Sequence, residues 1–190
     1  MQIRGLLFDL DGTLIETEKA NHSAYNLALS EFGLGIDYEH FRKYVGIDSR
    51  HFLAESFPNL KASDVNRIRT RKSTFYKEFF SETILNRNLF SFIDQFQTIE
   101  RIGIVTTGKR DNVFDILDYH GVRNKFDLII TGSDVENPKP DAEPYLKAIE
   151  LIGLPSNQIL AFEDSAAGCI SAIAANLKVI QISTGNQDVV

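Results

Sequence analysis

Five short apolar runs punctuate the chain, at Ile3–Leu10, Ile102–Thr106, Phe126–Thr131, Ile159–Phe162 and Leu177–Ile182. Each is rich in Ile, Leu, Val or Phe, and none alternates strictly with polar residues, which is the pattern of strands covered on both faces. Segments of helical character, Asp111–His120, Asp141–Ile152 and Ser165–Asn176, separate the last four. Strand and helix in alternation predict right-handed crossovers and a parallel sheet. The expected fold is α/β, a Rossmann-like core of five strands with helices on both faces.

Between the first and second runs the period changes. From about residue 16 to 83 the chain carries helical spacing and no convincing strand. Tyr25, Ala28, Leu29 and Phe32 fall at i, i+3, i+4 and i+7, while Val65, Ile68, Phe75 and Phe79 trace a longer stripe. Gly33, Gly35 and Pro58 punctuate the segments. An all-helical insert at 16–83 is therefore expected after the first strand, with the core formed by 1–15 and 84–190.

Composition narrows the possibilities. The 190 residues, 43% hydrophobic, suffice for one sizeable core with a modest insertion. No apolar run reaches the roughly 18 residues of a membrane span, and the N-terminus lacks a signal-peptide pattern. The single cysteine, Cys169, cannot form an internal disulfide, so a cytoplasmic setting is expected. The net charge of -6 argues against nucleic acid as the main partner, no membrane partner is expected, and a monomer or weak dimer is expected. The insert holds ten Lys/Arg and ten Asp/Glu, so the whole excess of acid belongs to the core. A core so acidic holds a phosphate only with a cation to offset the repulsion.

The stretch "DLDGT" sets Asp9 and Asp11 two apart at the end of a buried strand, where period two starts both side chains on one side. Gly12 permits a sharp turn and Thr13 can brace it with its hydroxyl. Open parallel sheets bind ligands at the carboxyl ends of their strands. Two carboxylates crowded there call for a hard cation or a shared proton. The second strand ends in "VTTG", offering the hydroxyls of Thr106 and Thr107 and, with Gly108, a helix N-terminus suited to phosphate oxygens. Lys139 follows the third strand between two prolines, and Glu163 and Asp164 end the fourth. Each has an ordinary reading taken alone: cap, solvated charge, helix capping. Their joint arrival on one sheet edge favours a site.

These four stretches, "DLDGT", the Thr of "VTTG", "KPDAEPY" and "FEDSAAG", resemble in order the motifs of the haloacid dehalogenase-like hydrolases, in the branch with a helical cap after the first strand. The resemblance runs nearly the whole chain. It implies a Mg²⁺-dependent phosphatase acting on a small phosphorylated metabolite. Asp9 is then the nucleophile and Asp11 the general acid and base. The Asp9 carboxylate, the Asp11 backbone carbonyl and Asp164 would be metal ligands, with Glu163 either a further ligand or a partner behind them. Thr106 and Lys139 would bind the transferring phosphoryl group, helped by Thr107 and Gly108. Gly46, Ile47 and Arg50, in "YVGIDSR", would help choose the substrate. Relatives commonly continue past a fifth strand, so the tail "STGNQDVV" is expected to be mobile or covered by a partner chain.

Two alternatives use the same scaffold. A phosphosugar mutase of the β-phosphoglucomutase type would, by the resemblance, carry a cap histidine where this chain has Asn21. His22 is one step on, about 100° around a helix. A third reading is a receiver-like switch or a non-catalytic phosphate-binding protein; a receiver would not need Asp11 or the insert. Other residues carry less: Cys169 reads as a small core residue, His40, His51 and His120 lack ligand spacing, and "RIRTRK" at 67–72 reads as a solvated, charge-balanced face.

Overall fold

A computed structural model describes residues 2–95 and 98–182. The strands in chain order are β1 (Gly5–Phe8), β2 (Ile15–Glu16), β3 (Ile84–Leu85), β4 (Arg101–Val105), β5 (Leu128–Ile130), β6 (Ile159–Glu163) and β7 (Lys178–Gln181). Five of them form one sheet in the order β5-β4-β1-β6-β7, and β2 and β3 form a separate two-stranded sheet. All four pairings in the large sheet are parallel. Phe8 is level with Ile104 on one side and Phe162 on the other, so the carboxyl ends of the central strands lie on one edge. The chain leaves β1 towards β4 and leaves β6 towards β7, in opposite directions. The crevice that this reversal opens lies between the ends of β1 and β6.

Both faces of the sheet are covered. Leu7, Val105, Ile130 and Ala161 pack with Tyr145, Ala148 and Ile152 of α7 (Glu143–Ile152) and Ala172 of α8 (Ala166–Ala174). On the opposite face Phe8 stacks on Phe162 at 4.7 Å, and Phe92 of α5 (Arg87–Gln95) meets Phe162 edge-on at 5.7 Å. Right-handed crossover puts α6 (Arg110–Tyr119), which buries Val113, Ile116 and Leu117, on the α5 side. The sequence pattern did not signal α5. It is only nine residues long and buries Leu89, Phe90 and Ile93, too short a stripe to stand out beside the insert. Two helices begin later than their patterns predict: Ser165 caps α8 by accepting from the Gly168 N–H at 3.0 Å, and Pro144 lies in the first turn of α7.

The chain divides into two compact units, Thr17–Ile84 and the sequence on either side of it. The first contains α1 (Glu18–Ser30), α2 (Tyr38–Arg42), α3 (Ser49–Ser56) and α4 (Ala62–Phe75), then a 3-10 segment over Tyr76–Glu82. Its core gathers Tyr25, Ala28 and Leu29 of α1 with Phe41, Phe52, Leu53 and Ile68, and Phe32, Val65 and Phe75 pack against them. The predicted second stripe fails at its last member. The helix tightens at Tyr76, which buries Phe80 in place of Phe79. The basic stretch is engaged within this unit: Arg71 forks onto Glu31 at 2.8 and 2.9 Å, Arg69 donates to Ser49 at 2.7 Å, Arg67 meets Asp64 at 3.5 Å and Lys72 donates to Asn21. The tail from residue 183 lies outside the described residues.

Candidate active site

Asp9 continues β1 by one residue, its N–H donating to the Phe162 carbonyl at 2.9 Å, and only 7% of it is exposed. The chain then turns sharply. The N–H groups of Leu14 and Ile15 both reach the Leu10 carbonyl at 3.0 Å, and Gly12 N–H donates to the Ile15 carbonyl at 2.8 Å. Gly12 sits at φ 85°, and a Cβ there would stand 2.1 Å from Asp164 Oδ2. Glycine is thus needed twice, for the backbone conformation and for the approach of Asp164. The expected brace from Thr13 is absent. Its hydroxyl is buried without a hydrogen-bond partner, because these backbone bonds and the Asn86 amide on the Thr13 carbonyl already close the turn.

Lys139 reaches this turn from the loop before α7. Its ammonium donates to Asp9 Oδ1 at 2.7 Å, to the Val105 carbonyl at 2.7 Å and to Glu163 Oε1 at 2.5 Å, so each of its three protons has an acceptor. Glu163 is fully buried, and Tyr145 donates its hydroxyl to the same Oε1 at 2.5 Å. A Cβ on Gly168 would lie 1.9 Å from Glu163 Oε2, so α8 admits this carboxylate only because glycine occupies that place.

Asp9, Glu163 and Asp164 offer oxygens all within 4.8 Å of one another. Three acids here face one lysine. Burial pushes the Asp9 carboxyl well above the ordinary range; Lys139 opposes that shift, while Glu163 and Asp11 add to it. Burial, reinforced by Glu163, lifts Asp164 to about 6. Burial would lower Lys139, yet the Asp9 and Glu163 carboxylates raise it, so the ammonium persists. Burial and the Glu163 charge push the Tyr145 phenol up, which keeps it a donor. The residues fit a hard cation: clustered oxygen donors and an excess of negative charge over the single lysine.

Asp11 does not join the acid cluster through its carboxylate; its Oδ2 is 3.9 Å from the point a Gly108 side chain would occupy, at the mouth of the β4 loop. Thr106 is buried, and its Oγ accepts from Gly108 N–H at 3.0 Å, which leaves its proton as the one it can donate. Thr107 is exposed beside it. Gly46 at φ 79°, Ile47 and Arg50 belong to the helical unit, on an exposed turn entering α3. The sequence pattern does not single out Tyr145 as a functional group. The signal was present in its place at the end of "KPDAEPY", but a buried aromatic reads first as core.

An acid cluster and a buried lysine at the carboxyl edge of a parallel sheet define an enzyme built on a Rossmann-like α/β core. Comparison with known proteins sharpens this. A family model described as haloacid dehalogenase-like hydrolase matches residues 6–182. Protein CbbY of Rhodobacter capsulatus is 31% identical over 196 residues, covering 95% of this chain and 85% of the relative. Validoxylamine A 7'-phosphate phosphatase of Streptomyces hygroscopicus subsp. limoneus is 27% identical, covering 94% and 84%. The crystal structure of CbbY from Rhodobacter sphaeroides in complex with phosphate superposes with a TM-score of 0.84 at 26% identity, covering 97% and 88%. The chain belongs to the haloacid dehalogenase-like hydrolase family.

Proposed function

We propose that the chain is a magnesium-dependent phosphatase that hydrolyses a small phosphorylated metabolite through an aspartyl-phosphate on Asp9. One observation carries the reading: a buried lysine bonds at once to Asp9 and Glu163, within a cluster holding a further acid, Asp164. Family membership, a phosphatase among the relatives and a phosphate-bound structural neighbour support the substrate class.

Asp9, Asp164 and the Asp11 backbone carbonyl would hold the ion, with Glu163 behind Lys139. When bound, magnesium supplies positive charge that offsets the acids and the phosphate oxygens. The chain's own groups do the rest. A carboxylate oxygen of Asp9 forms a bond to phosphorus as the bond to the leaving oxygen breaks, and Asp11 gives that oxygen its proton. Asp11 then takes a proton from water as the water attacks phosphorus, releasing phosphate and restoring the Asp9 carboxylate. Lys139 and the Thr106 hydroxyl hold the phosphoryl oxygens. The helical insert serves as a lid, with Gly46, Ile47 and Arg50 choosing among substrates.

Hydrolysis is favoured over mutase chemistry. Asn21 accepts from Lys72 and donates to the Thr17 carbonyl at 3.1 Å, and an amide moves no proton at neutral pH. The His22 Nε2 is 2.9 Å from both the Ile36 carbonyl and the Asn26 amide, so it is committed within the insert. The test is Asp9→Asn with p-nitrophenyl phosphate and Mg²⁺: turnover is expected to vanish while the fold persists. Near-normal rates would overturn the nucleophile assignment.

A further inference from the structure

We propose that Tyr145 is a positioning residue for phosphoryl transfer, acting through Glu163 to hold the Lys139 ammonium on Asp9. The proposal rests on the phosphatase reading above. The Tyr145 ring is fully buried among core residues of α7 and the sheet, so helix packing sets where its hydroxyl stands. Phenylalanine would fill the same space. The hydroxyl donates to Glu163 Oε1 at 2.5 Å, and that oxygen also accepts from Lys139 at 2.5 Å.

Lys139 needs such an anchor. Its head rides on a flexible four-carbon stem and is located by three acceptors: Asp9, the Val105 carbonyl and Glu163. Asp9 is the group that reacts, so it cannot serve as a fixed reference during turnover. The Val105 carbonyl is fixed by the sheet. Glu163 is fixed only if its own carboxylate is held. Its Oε2 has no hydrogen-bond partner and lies where any Gly168 side chain would clash, so α8 confines that oxygen without bonding it. Among the described residues, Tyr145 supplies the one neutral hydrogen bond that orients the Glu163 carboxylate.

The test pairs kinetics with a measurement that needs no turnover. Tyr145→Phe is expected to lower kcat with p-nitrophenyl phosphate about tenfold and to leave KM within about twofold. In a Glu163→Gln background the same change is expected to cost nothing further. Equal losses in both backgrounds would overturn the proposal. In the protein without substrate, the ¹⁵N-labelled Lys139 ammonium, assigned by its loss in Lys139→Met, should exchange its protons slowly, and Tyr145→Phe should speed that exchange at least about tenfold. An unchanged exchange rate would also overturn it. If Tyr145→Phe does not fold, the unmodified protein still decides: its Tyr145 hydroxyl proton should give a slowly exchanging downfield resonance, and absence of that resonance would sink the idea. A wild-type protein without phosphatase activity would defeat the phosphatase reading alone, and the exchange measurements would still judge Tyr145.

Discussion

Magnesium affinity should depend on pH in a way that the fold, not the amino-acid type, dictates. Burial and the neighbouring Glu163 charge lift Asp164 from 3.8 to about 6. Proton and metal compete for that carboxylate, so apparent affinity follows its ionised fraction. With a value near 6, that fraction is about one-tenth at pH 5 and about nine-tenths at pH 7, a rise of about tenfold in affinity. Asp9, also shifted upwards by burial, moves affinity in the same direction. Stability without metal runs the other way. A carboxyl raised in the folded state binds more protons there than when unfolded, so the stability it contributes is full below about 3.8 and is lost as pH rises through about 6. Calorimetric titration of Mg²⁺ at pH 5, 6 and 7 measures the first trend, and thermal melts in EDTA measure the second. In Asp164→Asn the remaining slope should shrink. A wild-type affinity changing less than about threefold from pH 5 to 7, or a slope undiminished in Asp164→Asn, would refute the reasoning.

Three further outcomes are expected. Gly168→Ala would force a methyl to within 1.9 Å of Glu163 Oε2 in a fully buried site, and such overpacking costs about 1–3 kcal/mol; the melting temperature should drop by several degrees, and an unchanged melt would contradict the packing. Substitutions at Ile47 or Arg50 should alter preference among a panel of phosphorylated metabolites more than the rate on p-nitrophenyl phosphate, and equal effects on both would count against a role in substrate choice. With β-glucose 1-phosphate as substrate, free phosphate should appear faster than glucose 6-phosphate, whereas rapid glucose 6-phosphate accumulation would mean a mutase.

Patterning alone determined the parallel α/β core. Continuous apolar runs such as Ile159–Phe162 can be satisfied only by cover on both faces, and helical segments between them leave right-handed crossovers as the connection. It also brought Asp9, Glu163 and Asp164, and the loop after β5 that carries Lys139, to a common edge, since the ends of parallel strands share the carboxyl side of the sheet. What lay beyond reach was decided by contacts between segments far apart in the chain. Nothing local distinguishes Tyr145 from any buried aromatic until α7 sets its hydroxyl on Glu163, 18 residues away. Gly12 and Gly168 read as turn and helix glycines, yet each leaves room for a carboxylate from another segment or turn. Thr13 reads as a turn brace, but its hydroxyl is buried without a partner while local backbone bonds and the distant Asn86 amide close the turn. The tightening at Tyr76, which buries Phe80 in place of Phe79, was likewise invisible to a 3.6-residue period. Periodicity reports which face of an element is buried; only the packed structure decides what each buried polar group meets there.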